Sequence, residues 1–416
     1  MSVLEGGVSL GERYLIIADD FTGANDTGVQ LRKRGLATEV LFAGRPIVGT
    51  SSVVIDTESR TVLPEVAEKS VRSALEEVDF SQFKYVMKKI DSSIRGNIVA
   101  ETKAVCDCFN PEMIVCAPAL PVLGRTTVDG VQHLNGVRIL DTEIAKDPIN
   151  PVVDDNLVDL LSSICDDKVV LKTEAEVKSE GFNLEDGKAF VCDAESNEDL
   201  DKIVEAAIKT GKKVLYMGTA GIAGSLINVE SPVRPAFGVV ASVSSVTNKQ
   251  MQYCAKVGIT LIKVSIGKVL IGEVKEADLL DAAIASLKQG KDTILLTDTA
   301  YNRSALQESL AVFKQLGLGA IEAGEKVRNL MGTLALGVLE KVDVSGVFLS
   351  GGDTALGVMK QLDADGSQIL SEALPGIPII RVRGGKINGL KLSTKAGAYG
   401  TEGAVAFVIR KLKESD

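Results

Sequence analysis

Short apolar runs recur along the first 230 residues, each breaking into a polar cluster and then into a stretch with helical spacing. Residues 14–18, 38–42, 52–56, 84–88 and 113–117 read as strands. Residues 65–78 and 98–109 carry the spacing of amphipathic helices. After Ala18 the chain turns polar at once, and residues 29–33 read as the start of a helix with Gly35 as its C-cap. Strands at 169–172, 189–193 and 213–217, a helix over 200–210 and a helix opening at 218–224 continue the style. The alternation predicts an α/β fold with mostly parallel sheets flanked by helices, ligand loops lying at the carboxyl ends of the strands.

The stretch 228–235 holds Pro232 and Pro235 and no periodicity, so it reads as a boundary. Two domains follow, 1–230 and 236–416, each a mostly parallel sheet, with an active site expected in the cleft between them. The second block restarts with a strand at 237–241, the hydroxyl-rich run Ser242-Val243-Ser244-Ser245 and a helix over 249–257. Strands at 260–264 and 293–297, a helix over 323–340 and a strand at 344–349 come next. That last strand runs into Ser350-Gly351-Gly352-Asp353-Thr354 and a helix over 355–362. Glycines between a strand and a helix turn backbone amides toward an anion, although a plain turn capped by Asp353 has the same signature. Lys395-Ala396-Gly397-Ala398-Tyr399-Gly400 is a second such turn, before a last helix to 413. No Walker A loop and no Gly-x-Gly-x-x-Gly after a strand occur, which weighs against a dehydrogenase.

The chemistry is densest in Asp19-Asp20-Phe21-Thr22-Gly23-Ala24-Asn25-Asp26-Thr27-Gly28. Adjacent carboxylates oppose each other's ionisation, so a simple turn does not call for them. A helix cap at Asp20 or Thr22 explains one polar residue of the run, not all. Further clusters follow other strands: Asp56-Thr57-Glu58-Ser59-Arg60, and Lys89-Ile90-Asp91-Ser92-Ser93-Ile94-Arg95-Gly96-Asn97. Arg60, Lys89 and Arg95 suit a small carboxylate, arginine through two hydrogen bonds, though each also reads as a surface charge.

Totals narrow the partners. A net charge of −10 opposes binding to nucleic acid and to anionic membrane. No apolar run approaches a membrane span, and the opening residues, with Glu5 and Glu12 among glycines, lack the pattern of a secretory signal. The cytoplasm is therefore the expected location. The chain has 6 cysteines without zinc spacing, so reduced thiols are expected, and its single histidine, His133, which reads as a surface-loop residue, is too few for a two-histidine metal site.

These motifs, in this order, mark a resemblance. The chain resembles the four-carbon acid sugar kinases through Ile17-Ala18-Asp19-Asp20-Phe21-Thr22-Gly23, Thr57-Glu58-Ser59-Arg60, Lys88-Lys89-Ile90-Asp91-Ser92 and Arg95-Gly96-Asn97. Gly124-Arg125-Thr126-Thr127, Ser350-Gly351-Gly352-Asp353-Thr354 and Lys395-Ala396-Gly397 extend it over nearly the whole length. The resemblance implies an N-terminal sugar-acid domain and a C-terminal nucleotide domain, and ATP-dependent phosphorylation of D-threonate, D-erythronate or a related acid at its terminal hydroxyl. It implies that Asp20, Arg60, Lys89, Ile90, Asp91 and Ser92 contact the acid, while Ser242, Gly351, Gly352, Asp353, Thr354 and Gly397 contact ATP. One departure stands out: Val240-Ala241-Ser242 replaces the family's Ser-Gly-Ser, and alanine tolerates positive φ less well than glycine.

Phosphoryl transfer needs an acceptor for the hydroxyl proton, with Asp20 the first choice and Asp91 the second. Mg2+ is expected on the nucleotide phosphates, reached by Asp353 directly or through water. The partners expected are the sugar acid and ATP, with a homodimer left open. A sugar-acid sensor without turnover is the alternative reading, though a sensor has no need of a second phosphate-binding domain.

Overall fold

The computed structural model of the protein describes residues 13–415, so the expectation built on Glu5 and Glu12 lies outside the described residues. The chain divides after Pro232 into two compact units. The division falls inside the stretch read as a boundary, whose first residues complete the helix Ala220–Glu230.

The first unit contains β1 (Tyr14–Ala18), β2 (Thr38–Phe42), β3 (Ser52–Asp56), β4 (Tyr85–Lys89), β5 (Met113–Ala117), β6 (Arg125–Val128), β7 (Val131–Leu134), β8 (Val137–Arg138), β9 (Val169–Lys172), β10 (Ala189–Cys192) and β11 (Val214–Gly218). Eight of these form one parallel sheet in the order β2-β3-β1-β4-β11-β5-β10-β9. Its central strands are buried at every position, as expected for a parallel sheet covered on both faces. Alternate residues feed two cores: Tyr14, Ile16 and Ala18 point to one, Leu15 and Ile17 to the other. The chain leaves β1 for β2, returns through β3, and then crosses to β4 on the other side of β1. The reversal between β1 and β4 is the switch point at which a doubly wound sheet opens a crevice. β6, β7 and β8 form a small antiparallel sheet, which puts His133 on a strand opposite Thr126 rather than in a loop.

The second unit contains β12 (Phe237–Val240), β13 (Thr260–Val264), β14 (Thr293–Thr297), β15 (Val347–Ser350), β16 (Gly366–Leu374), β17 (Ile377–Arg383) and β18 (Lys391–Lys395). Their order is β13-β14-β12-β15-β18-β17-β16, with β17 antiparallel to both β18 and β16. The run β13-β14-β12-β15 repeats β2-β3-β1-β4 strand for strand, so this sheet has its own switch point between β12 and β15.

Several elements differ from the sequence reading. The helix after β1 spans Phe21–Arg32 and starts eight residues before the expected Val29. Its buried face is made of Gly23, Ala24, Thr27, Gly28 and Leu31, small residues that show no apolar period. The helix after β15 likewise starts at Gly352, and the one after β12 at Ser245. β6–β8, β16 and β18 carry too little apolar alternation to be seen, and β16 is largely exposed; β17 escapes the reading despite its apolar run, with Ile377, Ile379, Ile380 and Val382 buried. No helix among the described residues is long and apolar enough to cross a membrane.

Candidate active site

Loops at the carboxyl ends of β1, β3 and β4 meet at the first switch point. Asp20 has extended backbone (φ −148°, ψ 156°) and caps the helix Phe21–Arg32. Its Oδ1 accepts from the Gly23 amide at 3.1 Å and from Arg60 Nη2 at 2.7 Å, whereas Oδ2 has no hydrogen bond among the described residues. Asp19 holds Arg60 on two points, accepting from Nε at 2.6 Å and from Nη2 at 3.0 Å. The Asp19 carbonyl also accepts the amides of Ser59 and Arg60, which locks the second loop onto the first. The Nε/Nη2 edge expected to face a substrate carboxylate is thus occupied by Asp19; Nη1 lies 3.8 Å from Asp91.

The third loop is wound around Asp91, whose Oδ2 accepts from the Ser93 amide at 3.1 Å and from Arg95 Nε at 2.9 Å, and whose Oδ1 accepts from Arg95 Nη2 at 3.1 Å. Arg95 also reaches Asp147. Lys89 is 4% exposed, and its ammonium donates to the Ile90 carbonyl at 3.0 Å. A Cβ at Gly23 would come within 2.9 Å of that ammonium and 2.5 Å of Asp20 Oδ1, so the absence of a side chain there lets Asp20 and Lys89 share the space. Ile90 departs from expectation: its side chain is fully buried in the core, leaving only its backbone to face the loop. Ser92 is half-buried, and its carbonyl accepts from Gln132.

Under these loops runs a buried polar chain. Lys88, 0% exposed, pairs with Glu101 at 2.9 Å; Ser59 donates to the other Glu101 oxygen at 2.8 Å and meets Thr57 at 2.7 Å; Thr57 donates to the Ala18 carbonyl. Burial opposes the charge on Asp19, but Lys88, Arg60 and Lys89 outweigh it and hold the carboxyl below the usual range. Asp91 is lowered in the same way, with Arg95, Arg60 and Lys89 overcoming burial. Asp56 behaves oppositely. Burial, with the carboxylates of Glu58 and Asp20 nearby, pushes it up to about 6, and its Oδ2 has no hydrogen-bond partner among the described residues. Glu101, Gln132 and Asp147 escaped sequence reasoning, and Lys88 and Ser59 entered it only as motif members without a role, because these roles depend on contacts between distant strands and helices. The one local signal was the pair Lys88-Lys89 inside an apolar strand.

In the second unit the loops read as ATP contacts gather at the second switch point. Gly351 has φ +105°, a region closed to most side chains, and precedes the helix Gly352–Gln361, whose first turn has no side-chain cap. Free amides at a glycine-led helix start fit a phosphate. Ser242 follows β12, and a Cβ on Gly397 would fall 2.2 Å from its Oγ, so the two loops touch only because residue 397 is glycine. Ala241 is not among the described residues with positive φ, so alanine costs the loop nothing. Thr354 is buried and Asp353 is exposed at the same turn. No cluster of three or more metal-type side chains occurs among the described residues. A lone carboxylate beside phosphates still fits magnesium, which takes most of its ligands from phosphate and water.

Two family models match this chain. A sugar-binding N-terminal domain covers residues 14–226, and a nucleotide-binding C-terminal domain covers residues 237–405. Among curated proteins, the chain is 31% identical to a D-threonate kinase of Salmonella typhimurium, covering 97% of this chain and 99% of that protein. It is 27% identical to a D-erythronate kinase of Heliobacterium modesticaldum over 94% of each. A crystal structure from Bordetella bronchiseptica, described as a domain of unknown function with bound citrate and as a domain-swapped dimer, superposes with a TM-score of 0.61. That match has 25% identity and covers 96% of this chain and 98% of the other. Together the two models define a class of two-domain proteins that pair a sugar-binding with a nucleotide-binding domain. More particularly, the chain belongs to the four-carbon acid sugar kinase family.

Proposed function

We propose that the protein transfers the terminal phosphoryl group of ATP to the 4-hydroxyl of a four-carbon sugar acid, with D-threonate the first candidate and D-erythronate the second. The observation that carries the reading is the convergence of Asp20, Arg60 and Lys89 at one switch point, with one Asp20 oxygen left without a partner among the described residues. Lys89 and Arg60 supply positive charge for the substrate carboxylate, Arg60 already oriented by Asp19. Asp20 Oδ2 takes the hydroxyl proton as the oxygen attacks the γ-phosphorus and the bond to the ADP oxygen breaks. Asp91 is the weaker candidate for the base, because Arg95 occupies both of its oxygens and lowers its basicity. It orients Arg95 and the loop 91–96 instead.

The amides at Gly352–Thr354 and the loop at Gly397 are assigned to ATP, with Ser242 beside them. Magnesium on the phosphates, with Asp353 as its protein contact, would neutralise charge that builds up during transfer. The identities with D-threonate and D-erythronate kinases support the substrate class. The domain-swapped Bordetella relative supports a dimer as the working assembly, which light scattering tests. The deciding experiment is a coupled ADP-release screen over the four-carbon acids. D-threonate or D-erythronate is expected to give the highest kcat/KM. ATP turnover with none of these acids would overturn the reading.

A further inference from the structure

Below the glycine loop that follows β18 lies a cation with no counter-charge among the described residues. Lys395 is 3% exposed, and its ammonium donates to three main-chain oxygens: Ala396 at 2.8 Å, Gly397 at 3.1 Å and Tyr399 at 3.1 Å. These use all its donors. Gln250, fully buried on the helix Ser245–Lys256, donates to the carbonyls of Tyr399, Gly400 and Thr401. Thr247 adds a second donor, beside Lys395, to the Gly397 carbonyl at 2.8 Å. The loop's carbonyls are therefore gathered inward onto buried side chains.

In a trans peptide the C=O and the following N–H point in opposite directions. Carbonyls of 396, 397 and 399 turned inward leave the amides of Gly397, Ala398 and Gly400 turned outward. None of those three amides makes a hydrogen bond within the described residues, and the loop surface from Ala398 to Gly400 is exposed. The Gly351 amide donates to the Lys395 carbonyl at 3.0 Å, which ties this loop to the other glycine turn. An array of outward amides with a cation behind it is a nest for an anion.

We propose that Lys395, with Gln250 beneath the same loop, is a positioning residue of the nucleotide site: it turns the loop 396–400 so that the amides of Gly397, Ala398 and Gly400 face the phosphates of ATP. This rests on the nucleotide reading above and deepens it, assigning the loop to the phosphate chain rather than to the base. Burial alone lowers the Lys395 ammonium to about 8, and no charged neighbour bears on it. The titratable groups on the surrounding loop and helices include Tyr253, Cys254, Asp353, Tyr399, Glu402 and Arg410, and none of them compensates it. Cys254 is itself pushed up to about 12 by burial and stays silent below that pH. Phosphate bound on the far side of the amides stabilises the protonated ammonium. Deprotonation removes a donor and the charge, so ATP affinity falls as pH rises through about 8. The last ionisation of a phosphate group, near about pH 6, is complete by then.

The test is calorimetry on the full chain with ATP and, separately, adenosine, for wild type, Lys395→Met and Lys395→Arg, between about pH 7 and 9.5. Wild type is expected to lose ATP affinity above about pH 8, and Lys395→Arg, which does not titrate there, to show a flat profile. Lys395→Met is expected to weaken ATP by about 10–100-fold, the loss of a charge-assisted contact, and to leave adenosine within about twofold. A wild-type profile that is flat across the range overturns the proposal, even if the methionine variant fails to fold. So does a folded Lys395→Met that binds ATP as wild type does, or that loses ATP and adenosine equally. Wild type that binds neither ligand overturns the nucleotide reading as well, and so separates the two failures.

Discussion

Asp20 keeps one carboxylate oxygen without a hydrogen-bond partner among the described residues, whereas Arg95 takes both oxygens of Asp91. Asparagine at 20 preserves the cap and the bond to Arg60 but cannot accept a proton. Asp20→Asn is expected to lower kcat by about 10²–10⁴-fold, with ATP affinity unchanged by calorimetry. Asp91→Asn should instead raise KM for the acid, because it frees Arg95 and loosens the loop; near-normal kcat for Asp20→Asn would move the base elsewhere. Asp56 makes a separate prediction. Its folded pKa of about 6 lies above the ordinary value of about 3.9, so the folded state binds the extra proton. That contribution to stability is present below about pH 4 and is lost as pH rises through about 6. Asp56→Asn should therefore stabilise the protein by about 1–3 kcal/mol above pH ~7. The gain should vanish below about pH 4 in denaturant titrations; a pH-independent difference would refute titration of the buried carboxyl as its cause.

The helix Phe21–Arg32 places two glycines where alanine is worth about 1 kcal/mol more in an isolated helix. At Gly23 an added methyl would strike Asp20 Oδ1 and Lys89 Nζ. Gly28 is looser, with Val54 Cγ2 at 3.4 Å. Gly23→Ala is expected to cut kcat/KM for the acid by about 10²-fold, the scale of a misplaced reacting group, while Gly28→Ala stays within about twofold. Equal activity in both variants would show that the close approach at Gly23 has no part in catalysis. The same helix shows where sequence reading stops. β1, β3 and β5 were legible to the residue because buried parallel strands are continuous apolar runs with sharp polar ends, and the half-exposed edge strand β2 through its short run Val40-Leu41-Phe42. A helix that packs through Gly23, Ala24, Thr27 and Gly28 has no such edge, so its first two turns looked like loop. Asp20, Arg60 and Asp91 were visible as polar residues after strands. That Asp19 rather than a ligand holds the Nε edge of Arg60 was not, since it depends on two loops 41 residues apart.

Each of the two units builds its loops on the same four-strand order, β2-β3-β1-β4 and β13-β14-β12-β15, and each carries a buried lysine at a strand end that binds carbonyls of the next loop. The loops assigned to acid and to ATP therefore rest on separate frameworks. Gly351→Val puts a branched side chain at φ +105°, 3.1 Å from Thr354 Oγ1 at its first carbon. It is expected to weaken a non-hydrolysable ATP analogue by about 10-fold or more while acid affinity stays within about twofold. Parallel losses of both ligands would refute that independence.

The place of β11 between β4 and β5 sets an order on the protein's synthesis. The Ile90 amide donates to the Gly218 carbonyl at 2.8 Å, and β11 pairs with β4 along Leu215–Gly218. The loop that carries Lys89 and Asp91 is thus held on one side by a strand that leaves the ribosome more than a hundred residues later. A nascent chain that stops short of β11 has β1, β3 and β4 but an open slot in the middle of the sheet, a long-range parallel pairing of the kind that forms slowly. Until that strand arrives, two unpaired inner edges are exposed, and these are templates for pairing with another chain. Arrest of translation before residue 214 should leave an aggregation-prone fragment, whereas release after the helix Ala220–Glu230 should leave a soluble one that retains the acid loops.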